Sequence, residues 1–383
     1  MNHFPVIVLG VGSMGSAACY YLAKKGIKVL GLEQFTLTHE FGSHAGQSRI
    51  IRKAYFEHSD YVPLLERAYQ NWKALETVCH NQFYFPTGLL YAGKPESILI
   101  KGVIESSELY GVEVSRISKA EVKSRFQQFA LPDDYEVLFE PDAGLLTPER
   151  CIRAFAEQAL NLGASIHTHE KVVSWKQEGD RISVTTDTQT YSCNKLIITA
   201  GAWANDFLPG LANNLHVTRQ VLVWTTPRLP AQFQLNKFPC WLIDDHEHAG
   251  MYYGFPMLDE TTFGKPAGLK SAHHYPGKST TANQVNREVT NMEVDELTTA
   301  ITRFVPESCE SVNQTKTCLY TNTPDENFII DFLPNQQDVI IACGFSGHGF
   351  KFASVVGEVL CDLATEGRTT QPIGFLSATR FKN

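Results

Sequence analysis

The chain has 383 residues, enough for two domains and a large buried core, and with 43% hydrophobic and 19% charged residues it is neither disordered nor collagen-like. The net charge of -8 is dispersed and no basic tract occurs, so neither nucleic acid nor a membrane surface is an expected partner. Nine cysteines, odd in number and without a CxxC pair, read as reduced thiols with no metal site; with no leader, membrane span or targeting tripeptide expected, the cytoplasm is the expected compartment.

Phe4 to Leu9 is a continuous apolar run, the pattern of a strand buried on both faces of a parallel sheet. Gly10-Val11-Gly12-Ser13-Met14-Gly15 follows as GxGxxG, a helix is predicted from Met14 to Lys25 with Gly26 closing it, and Ile27 to Glu33 is the next strand. In such a βαβ unit the glycines permit the turn and the close approach of a pyrophosphate. The helix N-terminus favours its charge, and Glu33, twenty-one residues after Gly12, accepts from ribose hydroxyls. An acid there disfavours a 2′-phosphate, which leaves NAD or FAD, and the motif does not separate them. A tight βα turn with a solvated acid would carry the same letters.

Arg49 and Arg52 stand three apart, on one face if the stretch is helical, and a guanidinium fork suits a carboxylate. Two surface arginines paired with Glu57 and Asp60 are the alternative. Further on, Thr147-Pro148-Glu149 supplies an N-cap, a proline at the first helical position and an acid in the first turn of a helix ending near Gly163. Ile166 to Val173, Ile182 to Thr186 and Lys195 to Thr199 read as strands, the last running into Ala200-Gly201-Ala202-Trp203. Residues 86–146 and 216–319 are richer in aromatics, prolines and short alternating runs such as Val221 to Thr225 and Gly250 to Phe255. The expected architecture is α/β, or α+β overall. A Rossmann-like nucleotide domain is assembled from 1–85, 147–215 and 320–383, and a second, mainly antiparallel substrate domain from 86–146 and 216–319. Near the C-terminus the strand from Ile340 breaks into Gly344, Gly347 and Gly349 with His348 and Lys351 among them, a second ligand-facing corner.

Three strings, Gly42 to Tyr55, Cys318 to Asp331 and Gly344 to Lys351, resemble the monomeric sarcosine oxidase and N-methyltryptophan oxidase family, and the likeness spans nearly the whole chain. The resemblance implies FAD, joined through a thioether to a cysteine. It also implies oxidation of a secondary amine beside a carboxylate, with dioxygen as acceptor and hydrogen peroxide released. An N-methyl amino acid would give an imine, then formaldehyde and the primary amino acid. Small-molecule substrate and O2 are the implied partners, and a monomer the implied state.

Carried onto this chain, the resemblance makes Cys318 the flavin-linking thiol, with Cys343 as the competitor read as strand packing. Arg52 and Lys351 would anchor the substrate carboxylate and Arg49 would lie near the flavin ring. Lys270 would be the fixed cation that assists electron transfer to oxygen. The connection between Pro256 and Leu269 is longer than the family pattern, which leaves Lys265 as a second candidate. Tyr253 and His274 would line the substrate cavity, although a Tyr-Tyr strand is also ordinary packing and a lone histidine an ordinary core residue. His348 could brace the corner or act on the flavin. Ser43, Val172, Gly201, Gly347, His348, Gly349 and Lys351 complete the implied cofactor contacts with the first glycine motif. Ala45, Gln47 and Ser48 depart from the family pattern, where His, Asp and Thr are common. The alternatives are a flavin dehydrogenase with a non-oxygen acceptor, an NAD-linked oxidoreductase, and a flavoprotein that binds without turnover.

Overall fold

The strand Asn2–Leu9 is the axis of the first sheet: it lies parallel to Val29–Leu32 on one side and to Thr190–Ile198 on the other, with Leu9 opposite both Leu32 and Ile198. All three strands end on one edge, so the loops that follow them converge. The computed structural model describes residues 2–248, 250–275 and 277–381. Ser165–His167 and Gln336–Cys343 extend the parallel set, while Val172–Glu178, Arg181–Thr186 and Ile329–Leu333 join antiparallel, which makes eight strands among the described residues. The long buried run Val6–Leu9, with every residue inaccessible or nearly so, is the consequence of helices on both faces.

The helix Ser13–Lys24 packs against Pro148–Asn161 and Ala353–Glu366, the last crossing so closely that a Cβ at Gly357 would lie 2.4 Å from Ala17 Cβ. A second sheet of nine strands is antiparallel throughout except where Cys240–Asp245 runs parallel to Leu89–Gly93. Its long members are His216–Thr226 and Ser311–Asn322, paired along almost their full length. Arg49–Ile51, Tyr84–Phe85 and Gly144–Leu146 form a small three-stranded sheet of their own. The fold is therefore mixed α/β, as expected. Among the described residues no helix is long and apolar enough to cross a membrane.

Three expectations need correction. Arg49 lies in a strand, so the two arginines do not share a helical face. The segment Ile166 to Val173, expected as one strand, is two, because His169 takes a φ of +56° and the chain between them bonds backbone to backbone with Phe35 and Glu33 instead. Thr147 precedes its helix without capping it; its hydroxyl has no partner, and Glu149 turns its carboxylate onto a neighbouring loop.

Candidate functional site

The converging loops of the first sheet and one face of the second line a common cavity. At its first end Gly10 has a φ of +90°, and a Cβ at Gly15 would fall 1.9 Å from Gly10 O, so strand and helix can approach this closely only without side chains. A Cβ at Gly12, by contrast, would project into open space with His44 Nδ1 as nearest atom at 3.9 Å. Glu33 accepts from the Val11 and Phe35 N–H groups, both at 3.0 Å, and burial raises its pKa despite them. Gly10, Gly12, Ser13, Met14, Glu33, Ser43, Val172 and Gly201 all line this part of the cavity, whereas Gly15 acts behind it through packing.

The second end is furnished by register. Side chains alternate across a strand, so Lys270, Ala272 and His274 share a face. Trp224 lies opposite Lys270, Tyr253 opposite Ala272, and Leu242 opposite Tyr253. Gln220 stands opposite Cys318, which brings Cys318 and Tyr320 onto the same face. Tyr253, His274 and Tyr320 line the cavity, and His274 Nδ1 lies 3.3 Å from the Tyr320 hydroxyl. Burial pulls the His274 pKa down to about 3, so its ring is neutral at pH 7.

Arg49 reaches between the two sheets. Its guanidinium donates to the carbonyls of Ser43 and Ala45 at 2.8 and 2.6 Å, to Ser48 O at 2.8 Å, and lies 3.5 Å from Cys318 Sγ. Cys318 is buried just behind the cavity wall. Lys270, also buried behind that wall, donates to Gly46 O and Ser48 O at 2.7 and 2.6 Å and sits 4.7 Å from the Phe255 ring centre. Burial first and Arg49 second push its pKa well below the usual lysine range. Lys265 lies elsewhere, 81% exposed and 3.5 Å from Glu260.

Arg52 does pair with Glu57, but in the interior: each side chain is 4% exposed, and Nη2 donates to both carboxylate oxygens at 2.7 and 2.6 Å. The guanidinium lies over Tyr55 and Phe56, 4.2 and 4.6 Å from their ring centres. Asp60 makes no arginine pair; it stands in an exposed turn beside His58. Burial opposes the Glu57 carboxylate, yet Arg52, His348 and Lys351 hold its pKa down to about 2.

At the C-terminal corner Gly347 has a φ of +78°, and a Cβ there would strike the Tyr320 ring at 2.3 Å. His348 Nε2 faces Glu326 O at 3.0 Å, an acceptor only, so it carries the proton, and Tyr55 OH must donate to Nδ1 at 2.6 Å. Lys351 donates to His348 O at 2.6 Å and contacts the Tyr55 oxygen at 3.4 Å. Burial, then Arg52, lower its pKa to about 7. Gly347, His348, Gly349 and Lys351 line the cavity with Arg49, Arg52 and Glu57. Cys343 is packed in the first sheet's apolar core.

Sequence reasoning did not single out Tyr55, Tyr320 or Glu149 as parts of this assembly; it named Gln47 only as a departure from the family pattern near the arginines, without a partner, and Glu57 only as a surface partner. Tyr320 was within reach, being two strand positions after Cys318. Glu149 and Gln47 are joined to the site by contacts between segments a hundred residues apart, for which no local signal exists.

The residues present suit FAD. Gly12 leaves a cradle that a Cβ would fill, and two cavity-lining polar atoms, His44 Nε2 and Thr321 Oγ1, are buried without a hydrogen-bond partner. Residues 5–363 match the model of a family described as FAD dependent oxidoreductase. Monomeric sarcosine oxidase of Bacillus sp. (strain NS-129) is 37% identical over 99% of this chain and 97% of its own. The N-methyl-L-tryptophan oxidase of Yersinia pestis (strain Pestoides F) is 30% identical over 99% and 100%. Among solved structures, NikD, an unusual amino acid oxidase essential for nikkomycin biosynthesis, superposes with a TM-score of 0.86 at 23% identity over 98% of both chains. L-proline dehydrogenase from P. horikoshii does so with 0.83 at 23%, over 99% and 98%. These two likenesses speak for the fold.

Proposed function

The chain belongs to the FAD-dependent oxidoreductase family, and from this membership and its relatives we propose that it oxidises secondary amino acids, N-methyl amino acids such as sarcosine or N-methyltryptophan, with O2 as the acceptor. The observation that carries the proposal is the pairing, at one end of the cavity, of two buried basic side chains, Arg52 and Lys351, with the neutral polar wall of Tyr253, His274 and Tyr320. A zwitterionic substrate needs a fixed positive site for its carboxylate and no cation near its amine. His274, neutral at pH 7, and the Tyr253 phenol satisfy the second requirement.

In this reading the glycine corner at Gly10 to Gly15, with Glu33, Ser43, Val172 and Gly201, holds the ADP half of FAD, and Gly347 to Lys351 with Arg49 lies at its ring. When bound, FAD would supply the two-electron chemistry, taking up the electrons released as the C–N single bond becomes an imine and delivering them to O2. Arg52 and Lys351 anchor the substrate carboxylate, which orients its N-methyl carbon; such positioning is a large part of the rate. Loss of two electrons and two protons leaves an imine, water adds to it, and formaldehyde and the primary amino acid depart; O2 takes up the two electrons and two protons as H2O2. Lys270 supplies positive charge where oxygen is reduced. The thiol of Cys318, beside the Arg49 guanidinium, is assigned as the point of covalent attachment. The segments 1–85, 147–215 and 320–383 would form the cofactor domain and the intervening ones the substrate domain. A monomer is proposed because the sarcosine oxidase relatives are named monomeric.

The test is a peroxide assay on the purified protein with sarcosine, N-methyltryptophan, proline and pipecolate. Peroxide with at least one, and colour retained in an acid precipitate, is expected. No turnover across the panel sinks the substrate assignment, and a colourless precipitate removes the covalent link. Lys270→Met should slow the oxygen half-reaction far more than the amine half-reaction.

A further inference from the structure

Gln47 has no task in the reading above, yet its geometry is unusual. Its φ is +68° and the Ser48 N–H closes back on Gly46 O at 2.7 Å, a γ-turn of the positive-φ kind, rare and strained for a residue that carries a side chain. The turn aims two carbonyls, Gly46 O and Ser48 O, at Lys270 Nζ. With two of its three N–H directions held, the ammonium has its third fixed by tetrahedral geometry; Ser48 Oγ lies at 3.5 Å, and the rings of Phe255 and Trp224 flank it at 4.7 and 5.7 Å. Gln47's own amide does not touch Lys270. Its Oε1 accepts from Trp224 Nε1 at 3.2 Å and its Nε2 donates to Gly264 O at 2.9 Å. Trp224 is the cross-strand neighbour of Lys270, and Gly264 lies in the connection 257–268 that leads into the Lys270 strand. On the other side of the turn, Glu149 Oε1 accepts from the N–H groups of Gly46 and Gln47 at 2.7 and 3.0 Å.

We infer that Gln47 is a positioning residue for Lys270: its amide ties the 257–268 connection and Trp224 to the strained turn whose two carbonyls orient the ammonium toward the place where oxygen is reduced. This rests on the reading of Lys270 as the oxygen-side cation. A strained turn persists only where its surroundings over-determine it, and here three separate segments do so.

The experiment compares Gln47→Ala, Lys270→Met and the double variant as FAD-loaded enzymes, with the amine and oxygen half-reactions followed separately by stopped flow. In Gln47→Ala the oxygen half-reaction should slow about tenfold or more with the amine half-reaction nearly unchanged, and in the Lys270→Met background the same change should add nothing. Hydrogen exchange supplies a readout independent of turnover: amides of 46–50 and of 258–268 should exchange faster together, and those of 10–33 should not. Equal slowing of both half-reactions, a full additional effect in the Lys270→Met background, or faster exchange in only one of the two segments overturns the inference. Lys270→Met leaving the oxygen half-reaction untouched overturns the underlying reading instead. If Gln47→Ala yields no folded protein, Trp224→Phe, which withdraws one of the two tethers, is expected to act in the same direction with a smaller effect, and its failure to do so counts against the inference equally.

Discussion

The two ends of the cavity are built in opposite ways. At the Gly10 end the turn and its acid come from a single βαβ unit, flanked by Ser43, Val172 and Gly201, and at the turn side chains matter chiefly by their absence: an added methyl at Gly15 meets a carbonyl at 1.9 Å. At the Lys351 end charged and polar side chains do the work, and Arg52, Tyr253, His274, Tyr320 and Lys351 arrive from segments spread over three hundred residues. Backbone amides can hold a phosphate whatever the sequence, whereas a carboxylate with an amine beside it requires particular charges at particular places. One end should therefore fail by steric crowding and the other by loss of charge.

The sharpest way to break that contrast is Gly15→Ala. The methyl cannot be accommodated without separating strand from helix, so the purified variant should carry little or no FAD and lose activity altogether, as read by the flavin absorbance of the native protein. Retention of wild-type flavin content would show that the crowding is relieved at no cost.

Arg52→Met should rank next. The Michaelis constant for an amino acid substrate should rise about a hundredfold, and the protein should lose about 3–5 kcal/mol of stability because Glu57 is left buried without its partner. Adding Glu57→Gln sharpens the test: it should restore most of the melting temperature without restoring the Michaelis constant. Recovery of both would mean that Arg52 acts only as an internal counter-ion.

The same contrast explains what could be read in advance. Gly10 to Gly15 and Glu33 declare themselves because turn, helix and acid are local and their spacing is set by one strand-turn-helix-strand unit. Tyr320, Tyr253 and His274 become neighbours only through the pairing of strands such as Gly250–Gly254 with Leu269–Tyr275, and register over that distance leaves no local periodicity. Arg52 shows the cost of reasoning from spacing alone. Its conditional helical partnership with Arg49 failed because the segment pairs as a strand with Gly144–Leu146, and its pairing with Glu57, weighed only as a surface alternative, proved to be internal. Lys270 was legible by resemblance, but the turn that holds it was not, since Gln47 occupies a backbone conformation for which glutamine carries no propensity signal.

The smallest expected effect, and the most diagnostic of charge, is the pH dependence of ligand binding. Around the carboxylate anchor, Glu57 titrates near 2, His274 near 3 and His348 near 4, while Arg52 and the tyrosines Tyr55, Tyr253, Tyr275 and Tyr320 are raised above their usual ranges. Lys351, near 7, is thus the member of this set that changes charge between pH 5 and 9. Its pKa is lowered in the folded protein, so below 7 it is an ammonium and above 7 increasingly a neutral amine. A bound carboxylate stabilises the ammonium and raises that pKa, which means binding must draw in a proton wherever the free amine has lost it. The dissociation constant of a simple carboxylate such as propionate should then be flat below about pH 6.5 and rise about tenfold per pH unit above 7.5, until the pKa of the complex is reached. Calorimetry in buffers of different ionisation enthalpy should show proton uptake approaching one per ligand at pH 8.5 and vanishing at pH 6. Lys351→Met should bind weakly at every pH with neither the slope nor the uptake. A slope that survives in Lys351→Met would transfer the titration, and with it the anchoring charge, to another group.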